Sequence, residues 1–129
     1  MKKSESEKVA KTILIVDDDS RNIFALSAVL RARNYHCITA SDAQQGLQKL
    51  AEHPAIAVVL LDMMMPDMDG YEAIAAIRNS AHGSIPIISV TAQAMAGDRE
   101  RCMGAGADGY VSKPIDVDYL FLLLKDLLG

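Results

Sequence analysis

Apolar residues along this chain fall into two patterns. The first is a short unbroken run, seen at Thr12–Val16 (TILIV), Ala57–Leu61 (AVVLL) and Ile85–Val90 (IPIISV). Each run stops abruptly at a polar residue: three aspartates (Asp17, Asp18 and Asp19), Asp62, and Thr91 respectively. Continuous β-branched runs of this length predict strands buried on both faces. Tyr35–Ala40 (YHCITA) alternates polar and apolar, and Gly109–Ser112 (GYVS) is short, so both read as edge strands. The second pattern is helical spacing. Ser20 precedes Ile23, Leu26, Val29 and Leu30; Ser41 or Asp42 precedes Leu47 and Leu50; Asp69 precedes Ile74 and Ile77. Each polar residue is a plausible helix cap. The clearest helix is the last, with Val117, Leu120, Phe121, Leu124 and Leu128 at three- and four-residue steps. The weakest is Ala94–Gly104, where an internal Gly97 costs about 1 kcal/mol relative to Ala and the apolar stripe is thin. That element is expected to be the most mobile.

Strand and helix alternate from end to end, which predicts an α/β, doubly wound fold: a parallel sheet of about five strands with helices on both faces. With edges at the second and fifth strands, the order is 2-1-3-4-5, the flavodoxin-like arrangement. Such a sheet carries its functional site outside the carboxyl ends of the strands, at the switch point between the first and third.

A length of 129 residues fits one domain. The division expected is a flexible tail over 1–10 and a folded unit over 11–129. With 17 acidic and 13 basic residues and a net charge of -4, the chain has no excess of cations to neutralise a phosphate backbone, so nucleic-acid binding is not expected. The opening MKKSESEKVAK has no apolar stretch behind it and is neither a signal peptide nor an anchor. The longest apolar runs are too short to span a bilayer, so a cytoplasmic protein without membrane contact is expected. Cys37 and Cys102 lack metal-ligand spacing and read as reduced, small apolar residues. His36, His53 and His82 are scattered singly, and Gly70, Gly104, Gly106 and Gly109 mark turns or helix ends.

The chemistry lies at the strand ends. Strand one delivers Asp17, Asp18 and Asp19, strand three Asp62, strand four Thr91, and strand five leads into Lys113 and Pro114. Carboxylates about 4 Å apart repel by roughly 4 kcal/mol per pair at an effective dielectric near 20. A divalent cation relieves this, and oxygen-only ligands favour Mg²⁺. A carboxylate beside a metal can act as a nucleophile towards phosphorus, with Lys113 supplying charge and Thr91 a hydroxyl to the phosphoryl oxygens.

ILIVDDDSRN, LLDMMMPDMDG, SVTAQAM and GADGYVSKP, in that order and spacing, resemble the receiver domain of two-component response regulators. The resemblance runs from about Lys11 to the end. It implies that Asp62 is the phospho-acceptor and that Asp17, Asp18 and Asp62, with the backbone carbonyl of Met64, hold Mg²⁺. It further implies that Lys113 contacts the phosphoryl group, that the Lys113–Pro114 bond is cis, and that Thr91 and Tyr110 form a switch pair. The implied partners are a histidine kinase or histidine phosphotransfer protein as donor, and a downstream protein docking on the face of the fourth helix, fifth strand and fifth helix. The stretch from Thr91 to Leu120 is most similar to receivers of hybrid sensor histidine kinases. Dephosphorylation in the family depends on the positions of Met64 and Gln93, neither suited to orienting a water, so a long-lived phosphoryl state is expected. Because the acceptor is consumed in each event, the chain is not expected to be a conventional enzyme.

Blander assignments stand beside these. Asp19 is a cap or loop residue, Met63 is core filler, and Tyr110 on its own residues is an edge-strand side chain with its hydroxyl in water. Two other functions compete. One is a phosphatase of the haloacid dehalogenase type, with Asp17 as nucleophile and Asp19 as acid. It fits poorly, since Asp62 goes unused. The other is a receiver-like module that docks without phosphorylation. A free-standing regulator and a receiver from a larger hybrid kinase both remain open, the opening Met1 slightly favouring the former.

Overall fold

The computed structural model describes residues 11–65, 69–92 and 95–129. The tail expected over 1–10 and Gln93 lie outside the described residues. The strands are β1 (Thr12–Val16), β2 (His36–Ala40), β3 (Ile56–Asp62), β4 (Ile87–Thr91) and β5 (Gly109–Ser112). The helices are α1 (Ser20–Ala32), α2 (Ala43–Glu52), α3 (Gly70–Arg78), α4 (Asp98–Ala105) and α5 (Val117–Leu128). All strand pairs are parallel and the order is β2-β1-β3-β4-β5, as the position of the edge strands predicts.

Successive residues of a strand point to opposite faces, so an unbroken apolar run serves two cores at once. On one face Leu14, Val16, Val59, Leu61 and Ile87 pack with Leu50 of α2, Ile74 and Ile77 of α3 and Cys102 of α4. On the other, Ile13, Ile15, Val58, Leu60, Ile88 and Val90 pack with Leu26 and Leu30 of α1 and Leu120 and Leu124 of α5. Each fully buried Leu or Ile contributes roughly 1.5–3 kcal/mol.

Element ends follow local chemistry. Asp19, not Ser20, caps α1, accepting from the Arg21 N–H; both residues can cap, and Ser20 becomes the first helical position. Asp42 rather than Ser41 caps α2, and Asp69 forms a capping box with Glu72 on α3. Helix α1 closes on Asn34 at φ 70, with the Asn34 and Tyr35 N–H groups donating to Arg31 and Leu30 carbonyls. Tyr35 is thereby spent on the helix end, and β2 begins one residue later than expected. Pro86 has no N–H to give a ladder, so β4 begins at Ile87 instead of Ile85. The expected helix over Ala94–Gly104 starts only at Asp98. Gly97 is not inside it but caps it at φ 83, a left-handed conformation that glycine adopts without strain.

Two long-range clamps tie the layers. The Arg78 guanidinium at the end of α3 donates to the carbonyls of Gly83, Ile85 and Gly106 and to Asp108 Oδ2. The same carboxylate oxygen accepts from the Ile87 N–H at 2.9 Å. Elsewhere Tyr35 stacks on Phe121 with centroids 6.2 Å apart and the Arg33 guanidinium lies 4.2 Å over the Phe121 ring, joining the end of α1 to α5. Cys37 and Cys102 are free thiols, and burial pushes the Cys37 thiol pKa up. No helix of the described residues is long and apolar enough to cross a membrane.

Candidate functional site

Because the sheet is parallel, all five strands end on one edge, and the chain reverses there at β1, β3, β4 and β5. The Asp62 carboxyl at the end of β3 is 3% exposed and Asp17, just beyond β1, 5% exposed; Asp18 is open to solvent. Asp17, Asp18 and Asp62 each offer an oxygen, and these oxygens all lie within 4.8 Å of one another. Lys113 Nζ, arriving from β5, stands 3.5 Å from Asp17 Oδ2 and 3.8 Å from Asp62 Oδ1. One ammonium thus faces two buried carboxylates. Three carboxylates and one cation leave excess negative charge in a partly desolvated cleft, and an all-oxygen donor set of this kind fits a hard divalent cation. Burial raises the Asp62 pKa above the ordinary carboxylate range, and the Asp17 charge adds to this, while the Met64 N–H and Lys113 pull the other way.

Local hydrogen bonds aim these groups. The Met64 N–H donates to Asp62 Oδ1 at 3.0 Å, so Met64 stands at the rim of the cleft, half-exposed at 47%. The Asp19 N–H donates to Asp17 Oδ1 at 2.9 Å, and Asn22 Nδ2 donates to Asp17 Oδ2 at 3.1 Å. Asp19 itself serves the helix cap, which removes it from the acid role of the phosphatase alternative. The Lys113–Pro114 bond is cis, as the resemblance implies.

Thr91 is buried at the end of β4, one residue past the Asp62–Val90 pairing, and the Lys113 N–H donates to its carbonyl at 2.7 Å. Tyr110 is placed differently from the plain edge-strand reading. Its ring packs against the α2–α4 core and its hydroxyl donates to Asp98 Oδ2 at 2.6 Å. Asp98 opens α4 and also accepts from the Tyr71 hydroxyl at 3.4 Å. Burial, then the Asp98 carboxylate, push the Tyr110 phenol far above its usual range. The sequence reading missed Asp98, Tyr71 and Asn22. Only Asn22 carried a signal, standing inside the DDDSRN motif one helical turn past the acidic pair.

Gly70 packs closely against Met63 at the end of β3. A Cβ there would come within 2.7 Å of the Met63 Cα and collide with the Met63 thioether, and the Gly70 N–H reaches the Met63 carbonyl at 3.3 Å. Gly70→Ala is therefore expected to destabilise the fold by about 2 kcal/mol, the usual scale of overpacking. Urea unfolding measures it; an unchanged midpoint would show that Met63 and the start of α3 move apart at little cost.

Residues 13–125 match the model of the response regulator receiver domain, and the chain belongs to that family. Among curated relatives, it is similar to the signal transduction histidine-protein kinase BarA of Escherichia coli K12, at 35% identity over 94% of this chain and 13% of the relative. It is also similar to the sensor histidine kinase RcsC of Salmonella typhimurium, at 40% identity over 84% of this chain and 11% of the relative. The chain thus spans about an eighth of the length of these relatives. The receiver domain of the sensor histidine kinase PA1611 from Pseudomonas aeruginosa superposes with a TM-score of 0.83 at 35% identity, covering 93% of this chain and 98% of that one. That structure has a magnesium ion coordinated in its active-site cleft. The matched residues thus make up a receiver domain, the phospho-accepting module of two-component signalling.

Proposed function

We propose that Asp62 is the phospho-acceptor. In this reading an Asp62 carboxylate oxygen attacks the phosphorus of a phosphohistidine on a histidine kinase or phosphotransfer protein. The P–O bond forms as the P–N bond breaks, and the departing imidazole nitrogen keeps the electron pair. The observation that carries the reading is the meeting of three carboxylates from two strand ends with the Lys113 ammonium from a third. Asp17, Asp18, Asp62 and the Met64 carbonyl are the ligands for Mg²⁺, which when bound supplies charge neutralisation for the phosphoryl oxygens. Lys113 supplies a second positive charge and Thr91 a hydroxyl donor.

The new charge of about -1.5 to -2 draws Lys113 and Thr91 towards Asp62, and Tyr110 follows. The hydrogen bond from Tyr110 to Asp98 supports a path from β5 into α4, so the face of α4, β5 and α5 is the surface a downstream partner reads. Leu122 and Tyr119 of α5 are exposed apolar side chains, at 66% and 41%. Residues 11–129 make up the receiver unit, working in the cytoplasm.

Intact mass after incubation with a small acyl phosphate tests the reading. The expected result is a gain of one phosphoryl group that requires Mg²⁺ and vanishes in Asp62→Asn. No gain in a protein that binds Mg²⁺ by calorimetry would leave the docking-only reading in its place.

A further inference from the structure

We propose that Asn22 is a positioning residue for the divalent cation, holding the Asp17 carboxylate so that a single lone pair is left for the metal. The inference rests on the proposed acceptor role of Asp62. A carboxylate offers about four lone-pair sites. On Asp17, Oδ1 takes the Asp19 N–H at 2.9 Å, and Oδ2 takes Asn22 Nδ2 at 3.1 Å and faces Lys113 Nζ at 3.5 Å. Three donors therefore converge on one buried carboxylate, and the fourth site is the one a cation can use. The amide must present its nitrogen here, since its oxygen would oppose a carboxylate oxygen.

Mg²⁺ demands near-ideal octahedral geometry, so a carboxylate free to rotate loses affinity, and groups that hold ligands in place are typically worth 10- to 100-fold in metal binding. Of the two side-chain donors on Oδ2, Lys113 is shared, lying 3.8 Å from Asp62 Oδ1 as well. A phosphoryl group on Asp62 draws that ammonium away. Asn22 is then the side chain that still holds Asp17, and its importance rises when the site is loaded. Its position follows from the cap: with Asp19 capping α1, Asn22 falls in the first turn, close enough to reach back five residues to Asp17.

The test is Mg²⁺ calorimetry on the whole chain for the wild type, Asn22→Leu and Asn22→Gln, with thermal unfolding in EDTA alongside. Leu has nearly the shape of Asn without a donor, and Gln keeps the amide. The expected result is a Kd raised about 10-fold in the Leu variant, recovered in part by Gln, with the EDTA melting temperature of both near wild type. A Kd within twofold of wild type in Asn22→Leu overturns the inference, as does a lowered melting temperature with unchanged Kd, which marks a purely structural residue. Failure of the acceptor reading looks different: wild type that binds Mg²⁺ yet takes no phosphoryl group from an acyl phosphate. A wild type that does not bind Mg²⁺ overturns both.

Discussion

Asp62→Asn is expected to make the metal-free protein more stable at neutral pH even as it abolishes phosphoryl labelling. Asp62 is buried, faces the Asp17 carboxylate, and has its pKa raised chiefly by burial. Between its unfolded and folded pKa values the native state binds the proton and the unfolded chain does not, so stability falls as pH rises through that window. Above the folded pKa the native protein carries the full cost of a buried, repelled charge. Asparagine has the same shape and no charge. Removing one charge from a cluster in which each like-charge pair at 4 Å costs about 4 kcal/mol, partly offset by Lys113, predicts a gain on the order of 1–2 kcal/mol. Thermal melts in EDTA from pH 8 down to pH 3 check it. The advantage of the variant should be full at the upper end and disappear as pH falls below the ordinary carboxylate range. A variant less stable than wild type at neutral pH would mean that the Lys113 contact at 3.8 Å outweighs the repulsion.

The largest loss of stability expected away from the site is at Arg78. Its guanidinium satisfies three carbonyls, those of Gly83, Ile85 and Gly106, and pairs with Asp108 at 2.9 Å. Few of these groups would find each other without it. Arg78→Ala strands the carbonyls and leaves the Asp108 carboxylate with the Ile87 N–H as its remaining partner among the described residues. Each buried group left unsatisfied costs about 1–3 kcal/mol, and the Arg78 side chain is 24% exposed, so water can replace part of what is lost. The net expectation is about 3 kcal/mol, or a melting temperature lower by about 10 °C for a domain of this size. Arg78→Lys should recover little, since one ammonium cannot fan out to four acceptors. Urea unfolding distinguishes the two variants; equal stability of Lys and Arg would show that charge alone matters here.

How much of this was legible in the sequence follows from the range of each interaction. The apolar runs announce the strands because both faces are covered and every residue in the run is buried, from Ile13 to Val16 and from Val58 to Leu61. Strand order follows from which runs are continuous and which are not. The meeting of the candidate residues Asp17, Asp62, Thr91 and Lys113 was legible because a parallel sheet delivers whatever follows its strands to one edge. Asp98 was not visible. Its partners Tyr110 and Tyr71 lie 12 and 27 residues away, and no periodicity links side chains on different elements. The same is true of the Arg78 bonds. Gly97 misled for a local reason: a glycine inside an apolar pattern and a glycine opening a helix look alike until its backbone angle is known. The Asp19–Ser20 pair is ambiguous in the same way, both being good caps one residue apart.

The Lys113–Asp17 contact joins residues 96 positions apart in a chain of 129, and Asp62, between them in sequence, meets the same ammonium at 3.8 Å. No segment of the polypeptide contains the site. A nascent chain lacks the complete cluster until β5 has left the ribosome and docked, and with Asp62 as the proposed acceptor a fragment lacking either end is expected to take up no phosphoryl group however well the rest folds. The fraction of a sample that an acyl phosphate labels at saturation is therefore expected to track the share of completely assembled molecules. On that proposal, labelling doubles as a quality check that only the finished fold is expected to pass.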